Sequence, residues 1–289
     1  MQRKDPGCSV SLDFIKMQSC GNDFIVVDLR GGGALPEADE VRRMCDRHFG
    51  IGADQLLVVS STQTPGADFS AIVFNADGSR AGQCGNGMRC LARYVFREAR
   101  YRQYGVRFAL NDRIVSANAY ADGRICVNMR SPCLEPEGVP VRMPDGPVPL
   151  MLMRPGAQAF AVGMGNPHAV CFSEQMPQGD LRDLAEPWQT DERFPEGVNV
   201  EFVTADARHS TLHLRVYERG AGETLACGSG ACAAAVAGIL TGRVHSPVNV
   251  VMPGGNVTVI WRGPGSEVYL VGSAETVFEG RWLRVGRSV

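Results

Sequence analysis

The order of apolar and polar positions predicts short strands, separated by turns, and two helices in the first half of the chain. Apolar residues at helical spacing predict one helix over residues 36–49, with acids early and bases late, and another from Met88 to about Ala99. Short apolar clusters between turn residues predict the strands. These strands cover residues 12–16, 24–28, 56–60, 69–74, 106–110, 114–120 and 124–129.

The second half shows the same kind of pattern after a proline- and glycine-rich segment over residues 131–155, which predicts a linker. Residues 212–217 alternate between apolar and polar side chains, as expected of a half-buried strand. An alanine-rich stretch from Cys227 to about Leu240 predicts a helix. Further strands are predicted over residues 159–163, 169–172, 198–203, 257–261 and 268–271, and near Trp282.

A long-range repeat relates the two halves. The tetrapeptide that begins at Cys84 and reads Cys-Gly-Asn-Gly returns 143 residues later as Cys-Gly-Ser-Gly at Cys227, and both precede a predicted helix. Repeated landmarks at a constant offset predict two similar domains, each of which supplies one cysteine and its own polar side chains to a shared cleft. Three further pairs keep an offset of 143 or 144 residues: Asn22 with Asn166, Gln55 with Asn199, and Asn75 with Glu218.

A cysteine at a helix start has a defined chemistry. The first-turn N–H groups have no helical acceptor and carry partial positive charge, so they can bind a carboxylate. The same field is expected to lower the thiol pKa of Cys84 and Cys227 from about 8.5 towards neutrality. Two such thiols on opposite faces of an amino-acid α-carbon would remove its proton on one face and return a proton on the other. The pattern therefore predicts inversion at Cα.

The use of lysine argues against the main competing mechanism. A racemase that uses pyridoxal phosphate needs a Schiff-base lysine, and this chain has only Lys4 in a polar N-terminal segment and Lys16 in a predicted strand. Gly228, Gly230 and Ala233 fit the spacing of a dinucleotide-binding fingerprint, but no acidic residue follows about 20 positions later. We therefore expect no cofactor.

Composition narrows the class of protein further. The net charge of −2 argues against a nucleic-acid partner. The sequence has no apolar run of about 20 residues, which argues against a membrane span. Ten cysteines without a C-x2-C pair predict mostly reduced, buried thiols and no metal site. Residues 1–9 are expected to form a disordered leader, not a signal peptide, which places the protein in the cytoplasm. The alternating charge from Arg89 to Arg102 predicts a solvated helix face.

These segments resemble the diaminopimelate epimerase family, in order, from about Phe14 to the C-terminal strands. The resemblance is specific, because both cysteine motifs occur together with the landmarks between them. The further segments that carry it are residues 21–24, 45–55, 74–79, 164–168, 198–202, 217–220 and 222–234.

The resemblance implies an α/β fold of the α+β type with two pseudo-symmetric domains. Each would be a curved, mostly antiparallel sheet around a central helix, with the active site in the cleft between them. Residues 10–128 together with 275–289 would form the first domain, since the last strand is expected to return to it, and residues 129–274 the second. The implied protein is a homodimer that interconverts LL- and meso-diaminopimelate without a cofactor, in lysine and peptidoglycan precursor biosynthesis.

The resemblance also assigns roles to residues. The proton-transfer groups fall on Cys84 and Cys227, and two positions that poise these thiols fall on His168 and Glu218. Arg219 would suit a distal substrate carboxylate, since a guanidinium pairs with carboxylates in bidentate fashion. The implied substrate contacts are Asn22, Gln55, Asn75, Gly85, Asn86, Asn166, Asn199, Glu218, Arg219, Gly228 and Ser229.

One segment departs from the family, and two other functions stay open. The family usually has Met-His-Gly-Leu, or a similar sequence, where this chain has Met17-Gln18-Ser19-Cys20, which puts the local loop shape in doubt. A related two-cysteine racemase could act on another amino acid, and a non-catalytic protein could bind a metabolite on the same fold. Solvent deuterium exchange at Cα would separate an enzyme from a binding protein.

Overall fold

A computed structural model of the protein describes residues 11–82, 84–143 and 149–284. The predicted leader, residues 1–9, lies outside the described residues, as does the end of the chain after Arg284. The elements of the first half are β1 (Ser11–Ser19), β2 (Asn22–Leu29), α1 (Ala38–Cys45), β3 (Gln55–Ser60), β4 (Phe69–Asn75), α2 (Gly85–Val95), α3 (Ala99–Tyr104), β5 (Val106–Leu110), β6 (Arg113–Ala119) and β7 (Ile125–Asn128).

The second half has similar elements in a similar order, ending with a strand that lies beside β1. They are β8 (Leu150–Arg154), β9 (Ala157–Gly163), β10 (Pro167–Phe172), α4 (Arg182–Gln189), β11 (Asn199–Asp206), a 3-10 turn (Ala207–His209), β12 (Thr211–Glu218), β13 (Gly222–Thr224), α5 (Gly228–Leu240), β14 (Val248–Met252), β15 (Gly255–Ile260), β16 (Tyr269–Gly272) and β17 (Glu275–Leu283).

All the described strands pair into one continuous sheet, and its two halves follow the same pattern. In the first half β17, β1 and β2 to β7 are neighbours in that order, with parallel pairing only at β2–β3 and β4–β5. In the second half β8 to β12 and β14 to β16 are neighbours, with parallel pairing only at β10–β11 and β12–β14. The halves join where β7 pairs with β16. The predicted α+β fold of two similar halves is confirmed.

The register of the parallel strands reproduces the repeat found in the sequence. Phe24 lies opposite Gln55 where β2 meets β3, and His168 lies opposite Asn199 where β10 meets β11. Each residue of the second pair follows its counterpart by 144 positions, so the landmark residues Gln55 and Asn199 occupy equivalent places at the start of a strand.

Each half has one helix on the inner face of its sheet and one on the outer face, and the first half also has the short helix α3. The inner helices α2 and α5 bury nearly all their residues in one shared apolar core. The outer helices, α1 on β3 and α4 on β11, each cover a smaller core of their own. The helices α2 and α5 contact each other in this shared core, so their first turns lie at the junction of the two halves. Within the described residues, no helix is long and apolar enough to cross a membrane.

Three predicted boundaries are wrong, each for a local reason. The first helix ends at Cys45 because the Asp46 carboxylate accepts the N–H groups of His48 and Phe49, which competes with the helical hydrogen bonds. The second begins at Gly85 and ends at Val95, and α3 follows as a separate short helix. The predicted linker contains β8, which alternates between buried and exposed side chains.

Candidate active site

Cys84 and Cys227 each form the N-cap of an inner helix. The Cys84 sulfur accepts the N–H of Gly87 at 3.2 Å, and the Cys227 sulfur accepts the N–H of Gly230 at 3.4 Å. The helical hydrogen bonds begin only afterwards, at the fourth residue after each cysteine. The predicted position of both cysteines at helix starts is confirmed, and the first-turn N–H groups of both helices lie outside the helical ladder.

The two helix starts contact each other at the junction of the halves. A Cβ placed on Gly228 would lie 3.2 Å from the Asn86 Oδ1 and 3.1 Å from the Leu270 Cδ2, and the same Leu270 atom would lie 3.3 Å from a Cβ on Gly85. Glycine at position 228 therefore permits the first turn of α5 to approach the first turn of α2.

The predicted lowering of the two thiol pKa values is wrong for this structure. Burial raises the pKa of Cys84 to about 11, since it outweighs the hydrogen bond from the Gly87 N–H, and the negative charge of Glu218 adds to the rise. Burial also raises the pKa of Cys227 well above its ordinary value, and Glu218 and Glu201 raise it further. Both thiols are therefore protonated near neutral pH, and the carboxylate of Glu218 acts on both.

Two asparagines surround the Cys84 thiol. The Asn22 Oδ1, at the start of β2, lies 4.0 Å from the Cys84 sulfur and accepts a hydrogen bond from the Asn86 Nδ2 at 3.5 Å. The Asn22 Nδ2 donates to the Asp54 Oδ2 at 2.7 Å. Asn22 and Asn86 thus lie together beside Cys84, as the repeat predicts for polar side chains at turns.

A hydroxyl and two carboxylates surround the Cys227 thiol. The Ser229 hydroxyl lies 3.4 Å from the sulfur, in the first turn of α5. Glu218, the last residue of β12, accepts a hydrogen bond from the Thr224 hydroxyl at 2.5 Å. Glu201 lies on β11 against the same helix start, since a Cβ on Gly230 would lie 2.7 Å from the Glu201 Oε1.

His168 lies in a fully buried pair with Glu201. Its Nδ1 lies 2.7 Å from the Glu201 Oε1, and its Nε2 lies 2.9 Å from the Asn166 Oδ1. Burial raises the pKa of Glu201, although the adjacent imidazole opposes the rise. The pair holds the His168 ring and links Asn166 to the surroundings of Cys227.

The other predicted residues form two separate groups at strand ends. The Gln55 Nε2 donates to the Asn75 Oδ1 at 3.0 Å, and the Gln55 Oε1 is buried without a hydrogen-bond partner among the described residues. The Asn199 Oδ1 accepts the backbone N–H of Arg219 at 2.9 Å, and the Arg219 guanidinium donates to the carbonyl of Glu196 at 2.6 Å.

Comparison with known proteins places the chain in a family. The sequence profile of diaminopimelate epimerase matches residues 14–134 and 160–277. A diaminopimelate epimerase of Azotobacter vinelandii is 41% identical over 273 residues, which cover 93% of this chain and 98% of that protein. This chain belongs to the diaminopimelate epimerase family. The resemblance found in the sequence is confirmed.

The fold of this diaminopimelate epimerase family member is shared with solved structures of low sequence identity. A phenazine biosynthesis protein of the PhzF family from Bacillus anthracis superposes with a TM-score of 0.63 at 16% identity, covering 94% of this chain and 99% of that one. A hydroxyproline epimerase from Agrobacterium vitis, solved with trans-4-hydroxy-L-proline, superposes with a TM-score of 0.63 at 15% identity, covering 94% and 92%. At such identities the likeness concerns the fold alone.

Sequence reasoning missed three charged residues beside the predicted site of this family member. Glu201 pairs with His168, Asp54 binds Asn22, and Arg89 donates to the Asn86 Oδ1 at 2.7 Å. Arg89 is fully buried, so the prediction of a solvated helix face is wrong at this position. A signal was present for two of them: Arg89 follows Met88 and precedes three apolar residues, and Glu201 interrupts an apolar strand.

Cys20, in the segment that departs from the family, lies beneath this region. It has a positive φ of 53° and is buried, and its sulfur lies 3.9 Å from the Arg89 Nη2. Its backbone carbonyl would lie 2.0 Å from a Cβ on Gly254, so the loop packs closely on the second half. Cys20 is therefore a packed side chain behind Arg89.

Proposed function

We propose that the chain interconverts LL- and meso-diaminopimelate by proton transfer at one α-carbon, with Cys84 and Cys227 as the two proton-transfer groups and without a cofactor. The observation that carries the proposal is the placement of both thiols as N-caps of two helices whose first turns meet, in a member of this family. Such an enzyme belongs to lysine and peptidoglycan precursor biosynthesis.

The substrate carboxylate binds between the two helix starts. The N–H groups of Gly85, Asn86, Gly228 and Ser229 lie outside the helical ladder, and both helix dipoles place partial positive charge there. These groups stabilise the negative charge that develops on the carboxylate when the Cα proton leaves. The first turns therefore bind the substrate and also favour the transition state.

The proton transfer leaves the total number of protons unchanged. One cysteine, which releases its own proton to solvent when the substrate binds, takes the Cα proton as a thiolate while the C–H bond breaks. The other, as thiol, gives its proton to the opposite face, and a new C–H bond forms. The enzyme then holds its proton on the first sulfur and is set for the reverse reaction. One cysteine must be a thiolate while the other is a thiol, and each exchanges these states in the reverse reaction. Both thiol pKa values must therefore lie near the working pH.

The charge of Glu218 connects substrate binding to thiol acidity. Since this carboxylate raises the pKa of both Cys84 and Cys227, a cation beside it would lower both values. The α-ammonium group of the substrate is such a cation, and Glu218 is its proposed acceptor. The buried pair of His168 and Glu201 beside Cys227 holds the second thiol in position.

The remaining predicted residues bind the rest of the substrate in this proposal. Arg219, which is partly exposed, pairs with the distal carboxylate, because a guanidinium fork matches carboxylate geometry. Amide side chains at strand ends, together with Asn86 in the first turn of α2, provide donors and acceptors for the two amino-acid groups. These side chains are Asn22, Gln55, Asn75, Asn86, Asn166 and Asn199.

A substrate comparison tests the proposed function. The purified chain is incubated with LL-diaminopimelate, L-proline or L-histidine, and formation of the epimer is followed by chiral chromatography. We expect turnover of LL-diaminopimelate alone. Turnover only of proline or histidine would replace the substrate by another amino acid, and no turnover of any of them, with binding of diaminopimelate in calorimetry, would favour a metabolite-binding protein.

We also propose that the protein acts in the cytoplasm as a homodimer. The nine cysteines of the described residues are all free, which suits a reducing compartment. The dimer is supported by the family resemblance. Sedimentation velocity at micromolar concentration tests it: a species of about twice the 31.2 kDa chain mass is expected, and a monomer would contradict it.

A further inference from the structure

Arg89 occupies an unusual position for a charged side chain. It lies fully buried on α2, three residues after Asn86. Its described hydrogen bonds go to neutral groups: the Ser19 hydroxyl at 2.7 Å, the Ser273 carbonyl at 3.4 Å, the Asn86 Oδ1 at 2.7 Å and the Cys20 sulfur at 3.9 Å. Its Nη1 has no partner, and within the described residues no carboxylate pairs with it.

A buried charge without an ion pair contributes little net stability to a fold. Transfer of a guanidinium from water into the core is unfavourable, and neutral acceptors offset this cost only in part. Replacement by an apolar side chain of similar length removes the buried charge but also leaves the buried Asn86 Oδ1 without its donor, so we expect only a small net change in stability. The place of Arg89 is better explained by what it does to Asn86.

Arg89 begins a chain of hydrogen bonds whose direction is fixed at both ends. An arginine only donates, so Asn86 must present its Oδ1 to Arg89 and its Nδ2 to Asn22. At the other end the Asp54 carboxylate only accepts, so Asn22 must present its Nδ2 to Asp54 and its Oδ1 to Asn86. Both amides could be reversed on their own, but the charged ends permit one orientation only.

The fixed orientation determines what faces Cys84. The Asn22 Oδ1, an acceptor, lies 4.0 Å from the sulfur, so it favours a thiol whose hydrogen points towards Asn22. Two charged groups act on this thiol from different elements: Arg89 on α2 lowers its pKa, and Glu218 at the end of β12 raises it. Arg89 therefore acts on Cys84 through the amide chain and through its charge.

We propose that Arg89, with Asp54 at the opposite end, is a positioning residue that orients the Asn86 and Asn22 amides and so aligns the Cys84 thiol for proton transfer. The proposal rests on the proposed epimerase function. It gives a function to a buried arginine whose described hydrogen-bond partners are all neutral. If Arg89 served only to stabilise the fold, its replacement would lower the stability and the activity together.

Arg89→Met tests the proposal, with Arg93→Met as control, since Arg93 lies one turn later on α2 and is exposed. We expect Arg89→Met to lower kcat for LL-diaminopimelate about tenfold or more, with KM changed less and an unfolding temperature close to that of wild type. The control should match wild type in all three. Wild-type kcat in Arg89→Met, or a loss of kcat matched by a loss of stability, would overturn the proposal.

A readout that does not depend on turnover accompanies the kinetics. The pH dependence of iodoacetamide alkylation is followed separately for Cys84 and Cys227 by peptide mapping. Arg89→Met should move the Cys84 profile to higher pH and leave that of Cys227 in place, while Arg89→Lys, which keeps the charge without the fork, should restore the profile but not kcat. An unchanged Cys84 profile in Arg89→Met would contradict the role of the charge.

The opposite end of the chain gives an independent variant. Asp54→Asn can donate as well as accept, so Asn22 can reverse, and kcat should fall about tenfold while Asp39→Asn, an exposed control on α1, has no effect. Full activity of Asp54→Asn would overturn the proposal. Inactive wild-type protein with an Arg89-dependent Cys84 profile would instead contradict the proposed function.

Discussion

At the scale of single residues, the two thiols differ in what surrounds them. Cys84 faces the acceptor oxygen of Asn22, whereas Cys227 faces the hydroxyl of Ser229 and lies close to Glu201. Both are protonated near neutral pH, since burial and Glu218 raise their pKa values. In the proposed reaction, these thiols therefore depend on charges that arrive with the substrate.

Replacement of either thiol should stop the reaction. Cys84→Ala and Cys227→Ala each remove one proton-transfer group, so we expect kcat for LL-diaminopimelate to fall by at least about 100-fold with the circular dichroism spectrum unchanged. Cys133→Ala, at an exposed cysteine, is the matched control and should retain wild-type kcat. Full activity in either of the first two variants would rule out the two-base reaction.

The charge of Glu218 should be visible in thiol reactivity. With its pKa raised to about 11, Cys84 is mostly protonated at pH 8, and its alkylation should accelerate up to about pH 11. Glu218→Gln removes a charge that raises the pKa, so alkylation of Cys84 and Cys227 at pH 8 should be faster, although the variant turns over more slowly. Peptide mapping after iodoacetamide treatment measures this. Slower alkylation would show that the sign is wrong.

At the scale of elements, the site depends on the close approach of a helix start and a strand. The first turn of α5 lies against Glu201 of β11, and Gly230 leaves room for the Glu201 carboxylate. The pair of Glu201 with His168 in turn connects this helix start to β10. A side chain added at the contact should therefore disturb the surroundings of Cys227.

Gly230→Ala tests this contact. Its Cβ would lie 2.7 Å from the Glu201 Oε1, so we expect a loss of about 1–3 kcal/mol in unfolding free energy and a clear drop in kcat. Gly31→Ala is the control, because a Cβ there meets nothing within 4 Å. Urea denaturation and the epimerase assay measure both variants. A Gly230→Ala variant as stable and active as the control would contradict the described contact.

Most helices and strands could be predicted from the sequence, but α4 and β8 could not. Apolar patterning and the repeat were sufficient for two similar halves and the two helix starts, and the family resemblance supplied the α+β fold. Helix α4 (Arg182–Gln189) was missed because Pro187 lies inside it. The repeat offset of 144 residues makes it the equivalent of α1 (Ala38–Cys45) in the first half. The alternation of β8 was hidden by the proline- and glycine-rich segment around it.

The candidate site was predicted less completely than the fold. The landmark residues were found because they repeat. Glu201 and Arg89 do not repeat as charged residues, since the equivalent positions in the other half are Leu57 and Cys232. The thiol pKa values were predicted in the wrong direction because a sequence shows a helix start and not the depth of burial. Burial and charge distribution arise only from the packing of both halves.

At the scale of the whole molecule, one continuous sheet joins the two halves. We propose residues 10–128 with 275–289 as one domain and 129–274 as the other, which agrees with the pairing of β17 with β1. Strands β7 and β16 pair across this division, and α2 and α5 share one core. The halves should therefore lose their structure together.

Thermal unfolding should accordingly show one cooperative transition. In differential scanning calorimetry the calorimetric and van't Hoff enthalpies should agree within error, because the shared core and the β7–β16 pairing couple the halves. Activity should disappear in the same transition. Two resolved transitions, with one half melting at a lower temperature, would show that the halves are independent units.

Proton transfer by two different thiols can be tested by running the reaction in deuterium oxide. The enzyme is given LL-diaminopimelate in that solvent, and early product and remaining substrate are separated and analysed by proton NMR and mass spectrometry. Two thiols with separate protons predict one deuterium at the inverted Cα of the meso product and almost none in the remaining LL substrate. Meso product that keeps its original Cα proton, or LL substrate that exchanges as fast as product forms, would contradict the claim.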